Sequence, residues 1–298
     1  MYNGVAENTK KTRRQQLKRY RKFCKKFTFN SFPCSPSQAS LYATYLADML
    51  KPVSIRNYIS AVWYYQKLKG FEDHSTDYML KMTLDGIERV NFTSSTVRYP
   101  MTTTDMLVIY SLLDMNMYVD KIFWLAILIA FRAVLRISHV TKSVHSLKLN
   151  DVKVTKDYVR FKISSSKTDQ FGRKPHEIYL QRVMDSPLCP GGLLEEVMGI
   201  SRKFGENIFS IKGKPLKYTY VYTRLKSLAV LANLPFSRVS THSLRHGGAT
   251  FLKKCGMSVD DIMKKANWKS KAVFKYLHDA KSELLKLDVL PSNFLSNL

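Results

Sequence analysis

Residues 241–250, Thr-His-Ser-Leu-Arg-His-Gly-Gly-Ala-Thr, bring His242, Arg245, two glycines and a helix start into ten positions. A helix beginning at Ser240 or Thr241 places His242 and Arg245, three apart, on one face of its first turn. Orphan backbone N–H groups and the positive end of the helix dipole favour an anion there, and arginine adds a planar fork of donors that suits phosphate. The competing reading is a basic helix start that only caps itself.

Other side chains in the same half suit such a site. Arg136 lies among Val134, Leu135 and Ile137, and a charge in that company must be paired or functional, because burying it alone is costly. Lys167 sits in Ser-Ser-Ser-Lys-Thr-Asp-Gln between two strand-like stretches, where a lysine is ordinarily just solvated. Tyr276 falls in the last helical pattern. No cluster of carboxylates of the kind that holds two divalent cations stands out, and there is neither a G-x-x-x-x-G-K-[ST] loop nor a G-x-S-x-G elbow. What these residues allow is a metal-free attack on a phosphodiester. Arginines meet the charge on pentavalent phosphorus, and an activated tyrosine becomes the covalent nucleophile. A lysine whose pKa is depressed by neighbouring cations then protonates the leaving 5′ oxygen.

The elements that must position these groups come from a basic, globular chain. Its 298 residues suffice for one large or two ordinary domains, and a 45% hydrophobic content places it among folded proteins. The 48 Lys and Arg against 23 Asp and Glu leave a formal charge of +25, for which a polyanionic partner is the natural compensation. Double-stranded DNA leads; a membrane surface does not, since the longest apolar run, 122–131, is too short to span and ends at Arg132. The first residues lack the order of a signal peptide, so an intracellular protein is expected. Cys24, Cys34, Cys189 and Cys255 show no paired spacing, which points to reduced packing residues without zinc or disulfides.

Residues 10–26 hold ten Lys or Arg and no acid, with Leu17, Tyr20, Cys24 and Phe27 at helical intervals. This is a helix with one apolar stripe and a basic remainder, from which Lys10, Lys11, Arg13, Arg14, Lys18, Arg21 and Lys22 are candidate DNA contacts. Three helical patterns follow at 37–50, 54–68 and 75–90. In the one at 54–68, Arg56, Asn57 and Ser60 lie off the stripe of Ile55, Tyr58, Ile59, Val62 and Trp63, as groove- or phosphate-contacting residues would. Linker composition at 93–100 separates a helical domain, 1–92, from a larger one, 101–298, which opens on a capping box at Thr102 and Asp105. There a buried helix is expected over 122–145. Alternation of Val159, Phe161 and Ile163, a turn at 164–174 and a further strand at 177–180 predict a small antiparallel sheet. Helices are expected at 193–204, at 219–231, from the 241–250 stretch to Gly256, from Ser258 to Asn267, and at 271–287. Leu290, Phe294, Leu295 and Leu298 form an apolar tail that either docks on a neighbouring subunit or packs back.

His242-Ser-Leu-Arg245-His-Gly-Gly-Ala-Thr resembles the H-x-L-R-H box of tyrosine recombinases, the phage-integrase superfamily, and Leu135-Arg136-Ile-Ser resembles that family's first arginine box. Lys167 falls at the family's hairpin lysine, Trp268 where it has His or Trp, and Tyr276, in Phe-Lys-Tyr-Leu-His, at the nucleophile. The resemblance spans nearly the whole chain. It implies a mainly α protein with a small antiparallel sheet, in which an N-terminal helical core-binding domain precedes an α+β catalytic domain. It further implies that Tyr276 forms a 3′-phosphotyrosine with His242 assisting, Arg136 and Arg245 clamp the phosphate, Trp268 packs beside them, and Lys167 protonates the 5′ oxygen. No cofactor is needed, and tetramers act on two DNA duplexes. Ser-Lys167-Thr-Asp-Gln-Phe-Gly-Arg, Leu-Cys-Pro at 188–190 and Trp268-Lys-Ser look most like recombinases of eukaryotic Crypton and DIRS-type mobile elements, which implies a nuclear location if the source is a eukaryote and otherwise a cytoplasmic one with the DNA. One departure stands out: three residues after the first arginine the family usually has an acid, and here it is His139. Two other functions compete, a type IB topoisomerase and a DNA-binding protein that descends from a recombinase without its activity.

Overall fold

A computed structural model of the chain describes residues 5–91, 98–165, 175–183 and 186–268. The chain divides into two units, 1–95 and 96–298.

In the first unit the basic stretch is α1 (Glu7–Lys26), which buries Leu17, Tyr20, Phe23 and Cys24. Phe23 takes the inward place expected of Phe27, because the helix ends at Lys26 and Phe27 caps it, 42% exposed. Next come α2 (Pro36–Ala47), α3 (Pro52–Leu68) and α4 (Tyr78–Val90). Pro52 both stops the preceding pattern and opens α3, since proline at the first helical position forfeits no hydrogen bond. Asp77 caps α4 by accepting the Leu80 N–H at 2.9 Å, so the helix starts three residues later than the pattern suggested. Helix α1 packs on α3, and α2 on α3 and α4, around Tyr42, Leu46, Ile59 and Trp63. Gln66, 1% exposed, accepts the Cys34 N–H at 2.6 Å and donates to the carbonyls of Cys34 and Glu72, tying the α1–α2 connection to α3.

The second unit opens on α5 (Thr103–Ser111) at the expected capping box: the Asp105 N–H donates to Thr102 Oγ1 at 3.1 Å and the Thr102 N–H to Asp105 Oδ2 at 2.8 Å. Helix α6 (Tyr118–Arg132) is the central element, with every residue from Ile122 to Phe131 buried. It does not continue to 145. Val134 turns left-handed at φ 51°, the Leu135 N–H closes back on the Ala130 carbonyl at 3.1 Å, and the chain leaves the helix before Arg136. A β-branched residue in that conformation is strained by about 1–3 kcal/mol and persists where its surroundings dictate it. Val134 is wholly buried against Ala249, Leu252, Ile262 and Ala266.

Three antiparallel strands follow, β1 (Val152–Val154), β2 (Tyr158–Ile163) and β3 (His176–Gln181), in the order β1-β2-β3. Phe161 pairs with Ile178, and Val159, Phe161, Ile163, Ile178 and Leu180 turn inward while their neighbours face out. Then come α7 (Gly191–Ser201), a two-stranded hairpin of β4 (Ser210–Ile211) and β5 (Lys214–Pro215), α8 (Tyr218–Leu231), α9 (Thr241–Lys254) and α10 (Val259–Ala266). No described helix is long and apolar enough to cross a membrane. The architecture is mainly helical with a small antiparallel sheet.

The two glycines of the opening stretch explain how α9 is seated. A Cβ on Gly247 would lie 1.8 Å from the Met101 oxygen, and one on Gly248 would lie 1.9 Å from the Phe131 oxygen. Only residues without a side chain let the backbone at 101 and the end of α6 approach α9 from two sides. The Met101 N–H donates to the Ser243 carbonyl at 3.2 Å on the first of them.

Candidate active site

Helix α9 begins as its sequence suggested. Ser240 is the N-cap, and its N–H donates to Ser243 Oγ at 3.0 Å. His242 and Arg245 share the first turn but not the same environment: His242 is exposed, while Arg245 is 5% exposed. Arg245 Nη2 donates to the Ala266 carbonyl at 2.5 Å, and its guanidinium carbon stands 4.9 Å from the centroid of the Trp268 ring. Ala266 ends α10, so the arginine meets the negative end of that helix dipole as well as an oxygen. Trp268 reaches it because Asn267 turns left-handed at φ 49° and the Trp268 N–H bonds back to the Met263 carbonyl at 2.9 Å.

Arg136 sits half-buried in the turn after α6, at the N-cap of a short 3-10 turn, Ile137–His139, and its carbonyl accepts the His139 N–H at 2.9 Å. His139, where the resemblance leads one to expect an acid, is 3% exposed. Burial pushes its pKa down to about 4, with the charges of Arg136 and Arg245 acting in the same direction. Both arginines therefore act on one neutral imidazole, and the site gathers cationic charge without a carboxylate at that position. His246 is held neutral too: burial, then His242, Arg98 and Arg245, lower its pKa to about 3.

The β2–β3 hairpin is tied to α10, the helix whose last carbonyl accepts from Arg245. His176 Nε2 lies 2.9 Å from the Lys265 carbonyl, which makes that nitrogen the donor, and Lys265 Nζ donates to the Tyr179 carbonyl at 3.4 Å. Two residues beyond the end of β2, Ser165 Oγ lies 2.8 Å from His145 Nδ1. These histidine contacts were missed in the sequence, because each joins residues 20 or more positions apart and no spacing marks them.

Of the six site residues expected from sequence, the structure brings Arg245 and Trp268 into contact, and the charges of Arg136 and Arg245 both act to lower the pKa of His139. His242 stands on the same helical turn. Lys167 and Tyr276 lie outside the described residues, as do the tail residues Leu290, Phe294, Leu295 and Leu298. Among the described residues no group of three or more His, Cys, Asp or Glu is placed to hold a metal ion.

In the first unit Lys11, Arg14, Lys18, Arg21 and Lys22 of α1 and Asn57 and Ser60 of α3 are exposed. The others are engaged within the unit. Lys10 lies 3.4 Å from Glu7, Arg13 stacks 3.9 Å over the Tyr64 ring, and Arg56 is paired with Asp85 at 2.7 Å and Glu88 at 2.8 Å. Arg56, a candidate groove or phosphate contact, is held between two carboxylates that α4 supplies and its own helix does not carry.

The phage integrase family model matches residues 101–283. Among solved structures, the XerH site-specific recombinase bound to palindromic difH substrate is 18% identical with a TM-score of 0.62, over 89% of this chain and 73% of that one. The Tn1549 transposon integrase in complex with circular intermediate DNA is 17% identical with a TM-score of 0.60, over 95% and 94%. A lambda integrase dimer bound to a COC′ core site is 16% identical with a TM-score of 0.60, over 92% and 89%. These likenesses are of fold. Against curated protein sequences the chain has no match. The family model spans most of the chain and takes in the turn of Arg136, the hairpin and α9 with Arg245, and the chain belongs to the phage integrase family.

Proposed function

We propose that this protein is a tyrosine recombinase that cuts and rejoins duplex DNA at specific sites without metal or nucleotide cofactor. The carrying observation is the setting of Arg245: a buried guanidinium held by the end of α10 and the Trp268 ring, one helical turn from exposed His242, with Arg136 acting on the same neutral His139. The guanidinium of Arg245, held by a carbonyl and a ring, with the second positive charge of half-buried Arg136 acting on the same histidine, makes a place for an anion, and a donor already held in place needs little reorganisation when charge develops on it.

In this reading Tyr276 Oη attacks the scissile phosphorus and the P–O5′ bond breaks. The phenolic proton passes toward His242, and the leaving 5′ oxygen takes a proton from Lys167. Arg136 and Arg245 hold the non-bridging oxygens and Trp268 packs against Arg245. Attack of another 5′ hydroxyl on the 3′-phosphotyrosine reverses the step, so the bond energy is conserved. The helical unit, through the exposed cations of α1 together with Asn57 and Ser60, grips the backbone, and the protein assembles as a tetramer on two duplexes, exchanging its apolar tails. The resemblance of Ser-Lys167-Thr-Asp-Gln-Phe-Gly-Arg, Leu-Cys-Pro and Trp268-Lys-Ser to recombinases of eukaryotic Crypton and DIRS-type elements supports a part in the integration or excision of a mobile element, in the nucleus if the source is a eukaryote and otherwise in the cytoplasm with the DNA.

The test is a nicked suicide substrate, from which the short 5′ strand diffuses after cleavage. Wild-type protein is expected to accumulate a covalent adduct that Tyr276→Phe does not form. Specific DNA binding without any adduct overturns the reading in favour of a binding protein, and relaxation of supercoils without joining of two duplexes favours a topoisomerase.

A further inference from the structure

The loop from Arg136 to Leu147 is closed on itself. The Val140 N–H donates to the Ile137 carbonyl and the Leu147 N–H to the His139 carbonyl, while Ser143 Oγ donates to the Ser138 carbonyl at 2.6 Å and Ser146 Oγ to the Thr141 carbonyl at 2.5 Å. His139 Nδ1 lies 3.0 Å from the His145 carbonyl. A carbonyl only accepts, so Nδ1 carries the proton of this neutral ring and Nε2 keeps a lone pair. The loop thus has Arg136 at one end, a buried uncharged histidine at its centre, and the main chain of His145 fixed to that histidine.

From this loop the half-buried His145 ring reaches across to the sheet, Nδ1 to Ser165 Oγ at 2.8 Å. Ser165 stands two residues beyond the end of β2 and two residues before Lys167 in sequence. The hydroxyl both donates and accepts, so the bond forms with either tautomer of His145.

We propose that His145 is a positioning residue for leaving-group protonation: through the Ser165 hydroxyl it fixes the base of the chain segment that carries Lys167 to the loop that carries Arg136. The loop that carries Arg136 and the chain just beyond β2 are then joined by a side chain that touches neither the phosphate nor the leaving oxygen. This rests on the recombinase reading above. Misplacement of a reacting group by about 1 Å costs on the order of 100-fold in rate, and positioned proton transfer is itself worth roughly 100- to 10,000-fold.

The experiment compares two suicide substrates, one with the ordinary bridging 5′ oxygen and one with sulfur in its place. The thiolate leaves without a proton, because a thiol has a pKa of only about 8.5. His145→Ala is expected to slow cleavage of the oxygen substrate about 10- to 100-fold while cleaving the sulfur substrate within about twofold of wild type. Ser165→Ala, which removes only a hydroxyl from a half-buried position outside the strands, is expected to behave the same way, and the double variant no worse than either single one. His145→Asn, which keeps an amide nitrogen near the place of Nδ1, is expected to retain most of the oxygen-substrate rate. Arg245→Lys, as a contrast, slows both substrates. Equal slowing of the two substrates by His145→Ala and Ser165→Ala, or normal cleavage of the oxygen substrate by both, overturns the inference while leaving the recombinase reading intact. Absence of any wild-type adduct on either substrate overturns both.

Discussion

Arg245 donates from Nη2 to the main-chain oxygen of Ala266 at 2.5 Å while its guanidinium lies 4.9 Å from the centre of the Trp268 ring. The start of α9 and the end of α10 therefore act as one structural piece, joined by the side chain that the phosphate would contact. A lysine keeps the charge but loses the planar fork that serves the carbonyl, the ring and an anion together. Arg245→Lys is expected to lower the rate of covalent adduct formation by roughly 100-fold or more, with DNA affinity little changed. An adduct rate within threefold of wild type would show that charge alone suffices there.

The close approaches at Gly247 and Gly248 predict a sharp contrast among glycines of one unit. Gly248→Ala places a methyl where the Phe131 carbonyl already stands, and the helices must part. A loss of about 1–3 kcal/mol or more is expected, seen as a lower denaturation midpoint. Gly199→Ala, inside α7 with nothing within 4 Å of its would-be Cβ, is expected to gain about 0.5–1 kcal/mol. Equal effects of the two substitutions would mean that α9 is not clamped at Gly248.

His139 makes stability depend on pH in a definite direction. Its folded pKa, about 4, is below the ordinary value of 6.5, so the unfolded chain takes up a proton before the folded protein does. The contribution is complete above the unfolded pKa and is lost as pH falls from about 6.5 toward 4, by a total on the order of 3 kcal/mol. Denaturant unfolding of wild type and His139→Asn at pH 7.5 and pH 5 isolates this group. The variant is expected to lose less stability between the two pH values than wild type, and identical losses would mean that the imidazole titrates normally.

What could be read from the sequence, and what could not, divides by the range of the interactions. The cap at Thr102, the helix start at Ser258 and the alternation of Val159, Phe161 and Ile163 are local, and the structure has them where expected. Apolar residues run on through Ile137 and so carry the expected helix past Arg136, and a left-handed valine is no sequence signal for a helix end. The turn at Val134 depends on α9 coming close enough to touch the end of α6, which Gly248 permits from over a hundred residues away. His139 was visible as a departure from the family pattern, but its neutrality follows from burial and from two arginines that the fold brings to it. The pairing of Arg56 with Asp85 and Glu88 is likewise a contact between helices that no spacing reveals.

That pairing separates two kinds of cation on the helical unit, and salt dependence distinguishes them. A lysine that neutralises a DNA phosphate releases a counterion, so its removal lowers the slope of log affinity against log salt by about one unit. Lys18 and Lys22 are exposed on α1 and have no carboxylate partner among the described residues; Lys18→Ala and Lys22→Ala are each expected to flatten the slope by that amount. Arg56 already has two carboxylates, and binding a phosphate would require it to give up one of them. Arg56→Ala is therefore expected to leave the slope almost unchanged and instead to cost the helical unit about 1 kcal/mol or less, the usual worth of a partly exposed ion pair. Measuring binding between 50 and 200 mM salt tests both expectations together. A full-unit change in slope for Arg56→Ala would mean that DNA displaces Asp85 or Glu88 from the arginine, making the α3–α4 ion pair a site that opens on binding.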